Sequence, residues 1–191
     1  MKMPPRYVSL DFSIDTNRIN ARQKCKAMNQ LETWHQNDVI QIDMCDIAQE
    51  EASQGSAARF EKASGYVYPI TLDSHRNSRE FTEIRKILFP TKKALTPNEE
   101  NDVIVVFHAR ANHCILVTND GGSNRQPNGI LGNKDRLFKK LGIKLIRDTD
   151  AVALVEQKIM ERDARAHRIA ERTGEPLPEW VGRDFQSKEK T

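Results

Sequence analysis

Leu10-Asp11-Phe12-Ser13-Ile14-Asp15-Thr16-Asn17 is the stretch that decides the fold. Residues 7–14 form a short apolar run rich in β-formers and read as a buried strand, with Asp15 at its exit. Three further acids stand in similar places. Glu51, with Glu50 as its rival, follows the run Val39-Ile40-Gln41-Ile42; Asp102 opens the apolar run at residues 103–107; Asp120 ends Ile115-Leu116-Val117-Thr118-Asn119-Asp120. Carboxylates gathered at the strand ends of an α/β sheet suit a hard cation such as Mg²⁺ or Mn²⁺.

Around these motifs, strands alternate with helices. Residues 19–34 have helical periodicity with Ile19, Ala27, Leu31 and Trp34 as core positions, residues 39–42 read as a second strand, and residues 46–62 read as one helix. A helix is expected at 79–88. Thr96-Pro97-Asn98-Glu99 is a strong helix start, with a capping threonine, proline at the first helical position and glutamate completing the box. That helix runs to about residue 111. Residues 114–117 read as a buried strand, 121–132 as a Gly/Asn/Ser-rich loop, 134–141 as a helix and 143–146 as a strand. The alternation predicts a parallel sheet covered on both faces, in residues 1–150. Residues 151–173 read as a charged helix, and 174–191, with Pro176, Pro178 and Gly182, as a polar extended tail.

Composition narrows the class. The chain has 191 residues, 38% hydrophobic and 30% charged, so it can build a core and stay soluble. No apolar stretch approaches the ~20 residues of a membrane span, and the first residues lack the apolar region of a signal peptide. Cys25, Cys45 and Cys114 form neither a metal spacing nor a disulfide framework, so reduced thiols in a cytoplasmic protein are expected. A net charge of +3 permits a polyanionic partner without arguing for one. There is no Gly-rich phosphate loop and no serine nucleophile elbow. Asp11 and Asp15 are four apart, not the Asp-x-Asp of an aspartyl phosphatase.

Each acid has a plainer reading. Asp15 could be a turn residue or helix cap, Glu50 and Glu51 a solvated helix face, Asp102 a complement to its helix dipole and Asp120 a turn former before Gly121-Gly122. The four together are less easily dismissed, because they share order, context and polar companions in Asn17, Asn101 and Asn119.

The series Ile14-Asp15-Thr16-Asn17, a glutamate on the next helix, Asn101-Asp102 opening a helix, and Val117-Thr118-Asn119-Asp120 resembles the PIN domain, over roughly residues 7–146. The resemblance implies a three-layer αβα sandwich with a mostly parallel sheet, here followed by a C-terminal helix. It implies a metal-dependent endoribonuclease that uses Mg²⁺ or Mn²⁺, with Asp15, Glu51, Asp102 and Asp120 as catalytic and metal-holding acids. Glu51 is preferred because it stands four residues before Gly55; Glu50, three after Ile47, resembles another variant of the spacing. Thr16, Asn17 and Thr118 match supporting positions. A homodimer and an antitoxin partner are habits of the family; the longer 121–132 loop and the C-terminal extension depart from its small toxins.

Arg18, Arg125 and Lys134 are candidates for contact with RNA, as are Arg76, Arg79, Lys92 and Lys93, while Tyr66 and Tyr68 could stack on bases. Lys158, Arg162, Arg165 and Arg172 recur at helical spacing, either as a phosphate-binding stripe or as a solvated face. The spacing of His108, His113 and Cys114 matches no zinc site. The competing reading is a catalytically silent PIN-fold scaffold or partner-binding module.

Overall fold

A computed structural model describes residues 2–19, 22–54, 56–66, 78–121 and 129–185. Four parallel strands form the middle layer: β1 (Asp11–Ile14), β2 (Gln41–Asp43), β3 (Ile115–Val117) and β4 (Leu145–Ile146), in the order β2-β1-β3-β4. Phe12 stands level with Ile42 on one side and Ile115 on the other, and Val117 with Ile146. Seven α-helices are described: α1 (Lys26–Gln36), α2 (Asp46–Ser53), α3 (Ala57–Ser64), α4 (Arg79–Leu88), α5 (Pro97–Ala111), α6 (Lys134–Leu141) and α7 (Asp148–Thr173). The architecture is the expected three-layer α/β sandwich. α5 packs on β1, β3 and α4, and α1 packs on β2 and α7.

The helices begin where local chemistry tells them to. Thr96 Oγ1 accepts from Glu99 N while the Glu99 carboxylate takes Thr96 N, so the predicted capping box is formed. Seven consecutive residues of α5, Val103 through Ala109, are buried, because this helix lies between the sheet and α4 and meets protein on most sides. Phe12, Ile14, Leu31, Trp34, Ile42, Ile104, Leu116, Val155 and Ile159 join one continuous core, so α7 is part of the packed body. No helix among the described residues is long and apolar enough to cross a membrane.

Several expectations are corrected. The first strand begins only at Asp11, because Ser9 sits at φ +57° and breaks the extended run. A 3-10 turn at Thr16–Arg18 and a left-handed Gln23 (φ +53°) delay α1 to Lys26. Ala27 is only half-buried and Met28 takes its place in the core. The helix expected over 46–62 is two helices: α2 ends at Ser53 and α3 restarts where Ser56 caps Arg59 N. Residues 174–185 hold no helix or strand yet do not trail away. Asp184 is buried, its backbone oxygen accepts from Trp34 Nε1 at 2.8 Å, and its carboxylate meets Arg6 and Arg162.

Candidate functional site

In a parallel sheet ordered β2-β1-β3-β4, the connections from β1 and from β3 run to opposite sides, which opens a crevice beyond the carboxyl ends of those two strands. Asp15 is the residue after β1, and its N–H donates to Val117 O of β3 at 3.1 Å. Asp120 follows β3 by three residues. The two most specific sequence motifs therefore meet at the switch point of the sheet.

Asp15 is buried at 8% exposure. Its Oδ2 accepts from Thr118 Oγ1 at 2.7 Å and from Asn17 Nδ2. Thr118, fully buried, also accepts from Asn17 Nδ2 at 3.2 Å and from Asp120 N at 3.0 Å, so one hydroxyl ties both aspartate motifs together. Glu51 lies on α2. Thr16 Oγ1 donates to its Oε2 and Asn101 Nδ2 to its Oε1, both at 2.7 Å. Glu50 is exposed, one residue along the same helix and turned away from that cradle. Asp102 sits in the first turns of α5 beside Asn101.

The electrostatics follow from this crowding. Burial pushes the Asp15 carboxyl up to about 6; Asp120 and Glu51 add to the rise, while the Thr118 hydrogen bond opposes it. Burial likewise raises Asp102 to about 7, with Asp120, Asp15 and Glu51 each contributing repulsion. Asp15 and Asp102 thus sit in the negative field of neighbouring acids, and among the described residues no cation stands with the main causes of either rise.

Asp120 is fixed by the far end of the following loop. Its Oδ2 accepts from Ile130 N at 2.8 Å and its backbone oxygen from Leu131 N at 2.9 Å. The crossing is so tight that a Cβ on Gly129 would lie 2.4 Å from Asp120 Oδ2 and 2.6 Å from Gly121 Cα. Gly121 itself holds φ +73°.

Thr16, Asn17 and Thr118 hydrogen-bond to the acids while Glu50 does not join them, and the cations are not all free for substrate. Arg18 reaches Asp148 Oδ2 at 2.7 Å and Asn17 Oδ1 at 2.8 Å, so its guanidinium is engaged within the fold, in contrast to the substrate contact expected of it. Lys134 is exposed at the start of α6. With Arg147 it borders a cleft of about 320 Å³ floored by Leu131, Leu145 and Ile146 and reaching Gly121, next to Asp120. Arg125, Tyr68, Arg76 and Gly55 lie outside the described residues. The stripe on α7 is not a continuous basic face, because Arg162 is buried among Asp163, Asp184 and Arg6 O. His108 is a core residue, with Nδ1 3.2 Å from Ser13 Oγ and Nε2 3.2 Å from Asn112 Nδ2.

Three roles were not singled out from sequence. Asn101 cradles Glu51, a role its place beside Asp102 hints at. Arg59 donates to Thr16 O at 2.8 Å and Asp148 holds Arg18, both long-range contacts without a local signature.

The donor set is carboxylate oxygen, the chemistry that a hard divalent cation takes, and the unbalanced field is of the sign a cation relieves. As placed, Asp15, Glu51 and Asp120 lean on their own hydrogen-bond partners. Among the described residues no group of three or more His, Cys, Asp or Glu is gathered closely enough to hold a metal ion.

No family model matches the chain, and no curated protein matches it. Among solved structures it is similar to one described as the crystal structure of VapBC2 from Rickettsia felis bound to a DNA fragment from their promoter. The TM-score is 0.45 and the identity 18%, over 72% of this chain and 98% of that chain.

Proposed function

With a PIN-like fold as premise, we propose that the chain is a metal-dependent endoribonuclease that hydrolyses RNA phosphodiester bonds at Asp15, Glu51, Asp102 and Asp120. The observation that carries this reading is the unbalanced charge at the sheet's switch point, where burial and mutual repulsion hold Asp15 at about 6 and Asp102 at about 7. A merely structural acid in such a place is normally paired with a cation; strongly perturbed carboxylates in a crevice mark a candidate active site.

In this reading Asp15, Glu51, Asp102 and Asp120 would hold Mg²⁺ or Mn²⁺. When bound, the ion would lower the pKa of a coordinated water and neutralise charge developing on the phosphate. The chain's own residues prepare the acids. Thr118 and Asn17 fix the Asp15 carboxylate, Thr16 and Asn101 hold Glu51 by one oxygen each, and the Ile130 N–H holds one oxygen of Asp120. Lys134 and Arg147 at the neighbouring cleft suit the phosphates of the RNA strand, and the apolar floor suits a base. A second copy or an antitoxin-like chain as partner belongs to the same reading.

The test is cleavage of a panel of structured and single-stranded RNAs with Mn²⁺, Mg²⁺ or chelator, by wild type, Asp15→Asn and Asp120→Asn. The expected result is metal-dependent cutting by wild type and a loss of more than about 100-fold in both folded variants, since even outer residues of metal sites cost about 10–100-fold. Inertness of wild type toward every RNA, together with no Mn²⁺ binding, leaves the silent scaffold as the surviving reading.

A further inference from the structure

We infer that Asp148, at the first turn of the C-terminal helix, is a positioning residue for the four-acid site, acting on Asp15 through Arg18 and Asn17. The inference rests on the nuclease reading for its effect on turnover, but the contacts that carry it do not.

The path is continuous and short. Asp148 is buried at 5% exposure, although it stands at a helix start where an acid usually faces water. Its Oδ1 accepts from Thr149 N at 2.9 Å, which leaves Oδ2 pointed at the rest of the fold. Oδ2 meets Arg18 Nη1 at 2.7 Å and Cys25 Sγ at 3.1 Å. Arg18 turns its Nε to Asn17 Oδ1 at 2.8 Å. That bond, with Asn119 N donating to the same oxygen at 3.2 Å, fixes which way the Asn17 amide faces. The Asn17 nitrogen is thereby directed at Asp15 Oδ2 and Thr118 Oγ1.

Each link leaves its neighbour little choice. A guanidinium held by a buried carboxylate cannot swing to solvent, and an amide whose oxygen takes two donors cannot flip. The Arg18–Asp148 pair is nearly excluded from water, with side chains 17% and 7% exposed, so salt screens it weakly. The plainer role for Asp148, a negative charge at the positive end of α7, is met equally by any acid in that turn, and Asp150 already supplies one. That role does not require burial against Arg18. The consequence is that α7, read from sequence as an appendage, reaches into the orientation of Asp15.

The experiment compares wild type with Asp148→Ala, Arg18→Ala, Asp148→Asn and a stability control, Arg162→Ala, which disrupts α7 far from the acids. Two readouts are taken: the Asn17 side-chain amide resonances in the metal-free protein, and kcat and KM for RNA cleavage with Mn²⁺. Asp148→Ala and Arg18→Ala are expected to move or broaden the Asn17 amide signals and lower kcat about 10-fold with KM nearly constant. Asp148→Asn, which keeps an acceptor for Arg18, is expected to retain most of both. Arg162→Ala is expected to lower Tm and leave the Asn17 signals and kcat in place. Unchanged Asn17 signals in both alanine variants overturn the inference, whatever the activity. Moved signals with an inert wild type sink the nuclease reading instead, and with it the effect on turnover while the relay of contacts stands. Moved signals with undiminished kcat in an active enzyme overturn the positioning role.

Discussion

The molecule buries acids at two ends and treats them in opposite ways. At the amino ends of the strands, Asp163 and Asp184 face Arg162 and Arg6. Arg162 donates to Asp163 Oδ1 at 2.7 Å and to Asp184 Oδ2 at 2.9 Å, Arg6 meets Asp184 at 2.5 Å, and Trp180 covers the Arg162 guanidinium at 4.3 Å from the ring centroid. Gly182 N completes Asp163. Two acids, two guanidinium groups and an aromatic cap make a balanced set. At the carboxyl ends, Asp15, Glu51 and Asp120 take hydroxyl, amide and backbone donors; among the described residues no cation pairs with them or with Asp102, and Asp15 and Asp102 rise with burial and mutual repulsion. A balanced buried network fastens the chain; an unbalanced one costs stability and persists where its charge serves something else.

Breaking the balanced end should produce the largest effect on stability. Arg162→Ala removes the partner of two buried carboxylates and the donor to Arg6 O. Loss of about 3–5 kcal/mol is expected in chemical denaturation, the usual cost of orphaning a buried charge. The fraction that remains folded should cut RNA at the wild-type rate. An Arg162→Ala protein as stable as wild type would show that the network is incidental.

A smaller loss is expected from Gly129→Ala. The new methyl must displace either the Asp120 carboxylate or the Gly121 backbone. About 1–3 kcal/mol is typical of such overpacking, and here activity should fall further than stability does. Equal activity with reduced stability would place Asp120 outside the chemistry.

The pH dependence separates the two ends directly. Asp15 and Asp102 have folded-state values raised from 3.8 to about 6 and about 7, so the folded state binds their protons more tightly than the unfolded state does. Unfolding then releases protons between pH 3.8 and about 7, and stability falls as pH rises through that window. In metal-free protein these two groups should therefore lower Tm from pH 5 to pH 7.5, an effect absent in an Asp15→Asn, Asp102→Asn double variant. Mn²⁺ should stabilise wild type more at pH 7.5 than at pH 5, because ligand carboxylates must be deprotonated. Scanning calorimetry with and without Mn²⁺ reads both; the same Mn²⁺ effect at both pH values would count against the acids as its ligands.

The mildest effect belongs to the cleft. Lys134→Ala should weaken binding of a non-cleavable RNA a few-fold and reduce the slope of log affinity against log salt by about 1, the signature of one lost phosphate contact. An unchanged slope would move the RNA path away from α6.

The two ends also differ in how far the sequence discloses them. The acids stand at positions defined by neighbours in the chain: an apolar run before Asp15 and Asp120, and the Thr96–Glu99 capping box just ahead of Asp102. Local patterns of this kind survive folding, and the sheet with its four strands was readable for the same reason. Glu51 is less legible, since adjacent acids on one helix differ only in which way the helix is rotated. The balanced end escaped notice because its contacts span the chain, with Arg6 and Asp184 178 residues apart, and because prolines and glycine in 174–185 imitate an unstructured tail. The break between α2 and α3 has a local signal, since Gly55, a poor helix former, stands directly before the capping Ser56, but the good helix formers on either side of it imitate one continuous helix.

The most direct test of the unbalanced end is a calorimetric titration of Mn²⁺ into metal-free wild type, Asp15→Asn and Asp120→Asn at pH 7.5. Saturable binding to wild type that is lost or greatly weakened in both variants is the predicted result. A wild type that takes up no Mn²⁺, or variants that bind it as tightly as wild type does, would contradict the claim that these acids form a cation site.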